Sequence, residues 1–325
     1  MTTCPRALVT GAAGQLGRAL VRALVADGAT VRALVRTPAQ ALALRADGAE
    51  IYAGNLADTG LVAAAARGVD VIYHLAGGVR GAGHATPDVL NREGTEALLR
   101  GLEGARGGGP VLVLASSAAV YGDRSGLWVE ETYPPSPHSR YGESKVAAEA
   151  LVLGSGHRAR VARLGAVLGV GAEGPLRALQ VPRLRAGRAW MPGDGVNHVP
   201  VVHLRDAIGG LRAVAERGED GAIVHVAAPY TPTTREMTDA VARALGTGPA
   251  RYVGTWVPSA LQRRGAAAVE GAWSRVGLRP PLTPDTLALW TASVRLRTER
   301  IAALGYAWQA EDVLATVAAE LATGV

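Results

Sequence analysis

The chain has 325 residues, 48% hydrophobic and 19% charged, which suffices for a real core and fits a water-soluble α/β protein. Its net charge of +6 comes from arginines scattered singly among only 4% aromatics, whereas nucleic-acid binding calls for basic clusters interleaved with aromatics. The single cysteine, Cys4, excludes an intramolecular disulfide and a cysteine-built metal site, and no apolar run reaches the about 18 residues a membrane helix needs.

The expectations are therefore no metal, no nucleic acid, no membrane and, with no apolar leader before the first strand, a cytoplasmic location. A chain rich in Ala, Gly, Arg and Val and lacking Phe suggests a GC-rich bacterial genome.

In chain order, Ala7 to Thr10 reads as a short strand, then GAAGQLG, then a helix with apolar residues at helical spacing and a glycine stop. A second strand ends at Arg36, a helix covers about residues 38–47, and EIYAGNL is a third strand. LVAAAARGV is a helix, VDVIYHLAG a strand, NREGTEALLRGLEGA a helix and PVLVLASS a strand. YPPSPHS at 133–139 is a turn before a helix that opens with YGESK. This alternation predicts a doubly wound parallel sheet with helices on both faces. After residue 165 the pattern weakens. VPVVH and AIVHVAA still read as strands and are expected to return to the first sheet, so residues 1–165 with strands near 199–228 would form one domain. Residues 166–198 and 229–325 would form a smaller, interleaved one.

Three sites carry chemistry. Gly11, Gly14 and Gly17 stand between the first strand and first helix. Gly11 allows the turn, Gly14 lets the backbone approach a pyrophosphate, and Gly17 permits close helix packing, as dinucleotide binding requires. Arg36 ends the second strand where an acidic residue would hold the free ribose of NAD, so NADP(H) is preferred, with NAD(H) as the alternative. Lys145 is the only lysine in the chain and lies four residues after Tyr141. A compact cation one helical turn from a tyrosine can hold a ribose and depress the phenol, making it a general acid or base.

With these motifs in place the chain resembles the extended short-chain dehydrogenase/reductase family, also called the NAD-dependent epimerase/dehydratase family. The signs are TGAAGQLG, GNLAD, HLAG, NREGT, SSAAVYG and YGESK, in order over roughly residues 6–228. The resemblance implies a Rossmann-like fold with a substrate-capping C-terminal domain. It implies that Tyr141 is the catalytic acid/base, Lys145 its partner and Ser117 the donor to a substrate oxygen. It places Ala13, Gln15 and Leu16 in the cofactor loop, Asn55 and Leu56 at the adenine, Leu75, Ala76, Gly77 and Asn91 along the cofactor cleft, and Leu164 by the nicotinamide. Asn55 stands where the family usually has Asp, and Leu164 where it often has Pro.

The sugar dehydratases of the family carry Asp-Glu just after the serine; here Ala118 and Ala119 follow, and neither moves protons. The reading is an NADP(H)-dependent oxidoreductase interconverting a carbonyl and an alcohol on a small organic substrate. The alternatives are a sugar-nucleotide 4-epimerase with tightly held NAD and a non-catalytic dinucleotide-binding protein. The family also implies a homodimer through a four-helix bundle, on faces carrying Ala97, Leu98, Ala147, Ala148 and Leu151. His74 is expected to be structural, and His203 with Asp206 to orient the second domain. His84 and His138 are expected near the cleft. Trp190, Met191 and His198 fall in the segment that covers the substrate.

Overall fold

Strands in this chain are short because each is apolar for only a few residues before a polar or glycine stop. The computed structural model describes residues 5–78, 86–105, 108–169, 181–191, 193–247, 251–253, 264–265 and 283–322. Strands β1 (Arg6–Thr10), β2 (Thr30–Val35), β3 (Glu50–Ala53), β4 (Val71–His74), β5 (Val111–Ser117), β7 (Ala159–Leu164) and β11 (Ile223–Val226) form one sheet in the order β11-β7-β5-β4-β1-β2-β3. Every pairing in it is parallel. The order reverses beside β1, which opens a crevice at the carboxyl ends of β1 and β4.

Side chains alternate across this sheet with period two. Ala7 and Val9 of β1, with Val111, Val113 and Ala115 of β5, enter one core. That core also holds Leu20, Val21 and Leu24 of α1 (Gln15–Ala26) and Leu211 and Val214 of α7 (Leu204–Arg217). Leu8, Leu112 and Leu114 enter the opposite core. There they meet Val62 of α3 (Thr59–Ala66), Leu98 of α4 (Gly94–Gly101) and Ala148 and Val152 of α5 (Arg140–Leu153). The doubly wound sheet is thus the one the alternation predicts. A π-helical turn, Val89–Glu93, precedes α4 and carries Asn91.

Of the two later strands, only β11 joins this sheet, beside β7. VPVVH instead supplies β10 (Val201–His203), which pairs with β8 (Ala166–Leu168) in a separate two-stranded ribbon. The reason is local. Gly165 still donates its N–H to Val226 O, but Ala166 donates to Pro200 O, so the chain changes partner there. A Cβ on Gly165 would lie 2.8 Å from Pro200 O, an approach only glycine permits. Two further ribbons join β9 (Arg188–Trp190) to β12 (Arg251–Val253) and β6 (Trp128–Val129) to β13 (Arg295–Leu296).

His203 and Asp206 tie the carboxyl-terminal segment down. Asp206 accepts from Tyr306 Oη, Gln309 N and Ala310 N at 2.7–3.0 Å, and His203 Nε2 meets Glu320 at 3.1 Å. The residues expected at a dimer face differ in exposure. Ala97, Leu98 and Ala148 are buried, the latter two in the core that Leu8, Leu112 and Leu114 enter; Ala147 and Leu151 stay partly exposed. Among the described residues, no helix is long and apolar enough to cross a membrane.

Candidate active site

The Gly11–Gly17 turn shows why each glycine is there. Gly11 has φ of +67°, and a Cβ on it would sit 2.6 Å from Ala76 N and 2.7 Å from Leu75 O, on the chain that follows β4. A Cβ on Gly17 would sit 2.3 Å from Gly11 O. Gly14 caps α1 with no side-chain acceptor, and a Cβ there would meet only Gly11 O. Ala13 and Gly14 are exposed, with Gln15 and Leu16 half-buried beside them. The first amides of α1 therefore point out of an open turn, which fits the pyrophosphate of a dinucleotide.

Arg36 lies exposed just after β2. Its N–H donates to Gln40 Oε1 at 3.0 Å, and among the described residues its guanidinium makes no ion pair. Thr37 Oγ1 accepts from Gln40 N at 3.4 Å as the cap of the helix Pro38–Ala46, which leaves its own proton free to donate. Asn55 is exposed after β3, and Leu56 is half-buried against the second core.

Across the crevice, His74 ends β4 fully buried between two threonines, Thr10 Oγ1 at 2.7 Å and Thr95 Oγ1 at 3.0 Å. Thr95 Oγ1 donates to Asn91 O, so it accepts from His74 Nε2–H, and Thr10 donates to Nδ1. The ring is a structural strut, as the sequence suggested. Asn91 Nδ2 donates to Gly78 O and to Ser144 Oγ, joining the loop after β4 to α5. A Cβ on Gly77 would lie 2.1 Å from Asn91 Oδ1 and 3.3 Å from Lys145 Nζ, so these three expected cofactor residues do converge.

Ser139 caps α5 by accepting from Gly142 N at 3.1 Å, which sets the helix that carries Tyr141 and Lys145. Ser117, at the end of β5 and in register with the buried Leu164 on β7, accepts from Ala119 N at 3.2 Å and pulls the Tyr141 phenol downward. Lys145 Nζ donates to Ala115 O at 2.9 Å and lies 6.0 Å from the Tyr141 ring centre. Burial pulls the ammonium down to about 8. Burial pushes the Tyr141 phenol up, against the opposing pull of the Ser117 hydrogen bond. One of the three Lys145 N–H groups is thus directed at a backbone carbonyl, and Lys145 is not among the groups that shift the Tyr141 phenol here.

Other expectations sort simply. His138 is exposed and accepts from Asp123 N at 3.4 Å; His84 and Cys4 lie outside the described residues. Met191 is fully buried core, and His198 lies beside Arg295 Nη2 at 2.9 Å.

A second polar cluster behind the site was not anticipated. Arg163 on β7 donates through Nη2 to Glu149 Oε2 at 2.7 Å and through Nη1 to Tyr121 Oη at 2.6 Å. Tyr121 donates in turn to His225 Nε2, whose Nδ1–H goes to Arg297 O at 2.8 Å. All four side chains are buried. The available signal was an arginine inside an apolar strand and a glutamate four residues after Lys145.

His74 and His225 make stability depend on pH. Burial, aided by the Lys145 charge, lowers His74 from 6.5 to about 3, and burial with Arg163 and Arg300 lowers His225 to about 4. Both bind fewer protons folded than unfolded, so their contribution is complete above about pH 6.5 and drains as pH falls toward 4 and then 3. The urea midpoint is expected to fall between about pH 7 and 5, and a folded His225→Gln variant to show a shallower fall. An unchanged slope in that variant would contradict the assignment.

Fold and turn together have the form of a dinucleotide-binding α/β protein. Residues 7–227 match the model of the NAD dependent epimerase/dehydratase family, and the chain belongs to that family of NAD(P)-dependent oxidoreductases and epimerases. It is 34% identical over 228 residues to the 4-hydroxy-2-methyl-3-oxo-4-farnesyl-3,4-dihydroquinoline-1-oxide ketoreductase of Stigmatella aurantiaca, covering 67% of this chain and 66% of that one. It is 31% identical to the ceramide reductase of Caulobacter vibrioides, covering 63% of this chain and 59% of that one. The alignments thus span less than two thirds of these relatives' own length. Among solved structures, the Thermus thermophilus UDP-glucose 4-epimerase in complex with NAD superposes with a TM-score of 0.74 at 24% identity, over 98% of this chain and 100% of that one, a likeness of fold.

Proposed function

We propose that this protein is an NADP(H)-dependent ketoreductase acting on a carbonyl or alcohol of an organic substrate. The observation that supports the reading is the place of Lys145 Nζ, at Ala115 O on β5, 6.0 Å from the Tyr141 ring centre and beside Gly77 and Asn91. A nicotinamide dinucleotide held at the Gly11–Gly17 turn would supply or accept the hydride. Ser117 and Tyr141 hold the carbonyl oxygen, and Tyr141 donates its proton there during reduction. A phenol raised by burial is protonated at neutral pH, which suits a donor. Lys145 supplies the positive charge that offsets the phenolate left on Tyr141. Ala118 and Ala119 offer no groups for the proton transfers of an elimination. The two relatives named as reductases favour reduction over epimerisation.

Cofactor choice tests the reading. The exposed Arg36 guanidinium and the free Thr37 proton suit a 2′-phosphate, and charge-assisted bonds of this kind contribute roughly 1.5–3 kcal/mol, about ten- to a hundredfold. Calorimetry is expected to show NADP(H) preferred by that factor. Arg36→Ala should erase most of the preference and leave NAD(H) binding little changed. Equal binding of the two cofactors by the unmutated protein would sink the argument and favour the 4-epimerase reading. A screen of hydrophobic ketones against nucleotide sugars, followed by NADPH consumption, then addresses the substrate.

A further inference from the structure

Two consecutive residues of β5 each hold one side chain of α5. The Ala115 carbonyl accepts from Lys145 Nζ, and the Ser116 hydroxyl donates to the Glu149 carboxylate. Lys145 and Glu149 stand one helical turn apart, at 6% and 4% exposed. A buried charge is costly unless a partner answers it. Glu149 answers two cations, Arg163 by direct contact, Nε to Oε1 at 3.0 Å and Nη2 to Oε2 at 2.7 Å, and Lys145 through space.

We propose that Glu149 is a positioning residue for Lys145: fixed by Ser116 and Arg163, its carboxylate keeps the ammonium charged and seated at the Ala115 carbonyl, one turn from Tyr141. The proposal rests on the reading of Tyr141 and Lys145 given above. The groups around the pair are few. His74 faces Lys145 from β4 as a neutral ring, and Tyr141 is a neutral phenol. Behind Glu149 stand Arg163, Tyr121 and His225, with Glu131 facing Arg300 at 3.5 Å. Of all these, Glu149 is the buried carboxylate on Lys145's own helix, one turn away and anchored at the next residue of β5, and a negative charge so placed favours the ammonium. Making it neutral leaves the desolvation in place and leaves the Arg163 charge unmatched. Both act in one direction, toward loss of the ammonium proton.

The sole lysine makes the test direct. Protein labelled with 13C-lysine, on a lysine-free tag, gives one side-chain Cε–Hε signal, from Lys145. In the unmutated protein this signal is expected to titrate near 8, below the ordinary 10.5. In Glu149→Gln, which keeps an acceptor for Ser116, the midpoint should fall by roughly 1 in pH or more. In Glu149→Gln/Arg163→Gln it should recover part of the way and stay below the unmutated value. A folded Glu149→Gln with an unmoved or raised midpoint overturns the proposal. If circular dichroism shows that single variant unfolded, the double variant decides, and a midpoint equal to the unmutated one overturns it. Turnover plays no part in this readout, so failure of the catalytic reading would appear separately, as normal activity in Tyr141→Phe.

Discussion

Tyr141→Phe is expected to reduce turnover on the order of 10²–10⁴, the usual worth of a positioned proton donor, with cofactor binding and melting temperature little changed. The substitution removes one oxygen and little volume. Ser117 keeps a second partner, because its Oγ also accepts from Ala119 N at 3.2 Å. The backbone of Tyr141 stays engaged through Ser144, whose hydroxyl donates to Tyr141 O at 2.8 Å. A pure loss of kcat at unchanged KM for cofactor therefore isolates the phenol. Because the phenol is raised, the unmutated enzyme should hold its reductive activity through neutral pH, where the proton to be donated is present. Near-normal turnover in Tyr141→Phe would remove Tyr141 from the chemistry.

The residues that made the fold legible are those whose identity is dictated by backbone geometry. Gly11 needs a positive φ and Gly17 a missing Cβ, and both requirements survive translation into a one-letter string. The unbroken apolar runs of β1 and β5 likewise announce a sheet buried on both faces. What stayed hidden depends on contacts between distant segments. Nothing in VPVVH says that it pairs with β8 and not β7; the partner change at Gly165 decides it. Of the apolar residues on α4 and α5 expected to face a partner chain, Leu98 and Ala148 pack into the core beside the sheet. The direction of the Lys145 ammonium was equally unreadable, since its acceptor is a backbone carbonyl 30 positions away.

Arg163 is the clearest case of a residue whose weight only the structure reveals, and replacing it should have the largest effect on stability. Its side chain is 2% exposed and donates to Glu149, to Tyr121 Oη and to Glu131 O. Arg163→Met would fill much of the same space. It would also leave the Glu149 carboxylate buried without its contact cation, and would strip Tyr121 and Glu131 O of a donor. Breaking one half of a buried pair costs about 3–5 kcal/mol, a large part of the 5–15 kcal/mol that holds a typical protein folded. Thermal or urea unfolding should therefore show a loss of that size, or no folded protein at all. Arg163→Met/Glu149→Leu removes both charges together and should recover most of the loss, since an apolar pair of similar volume replaces a buried ion pair at little cost. Ser116 would keep one unmet hydroxyl, a smaller penalty of about 1–3 kcal/mol. If Arg163→Met melts like the unmutated protein, the ion pair is not what secures α5 to β7. If the double variant is worse than the single one, the charges matter for more than their mutual compensation, and the link through Tyr121 and His225 to the carboxyl-terminal segment becomes the stronger account.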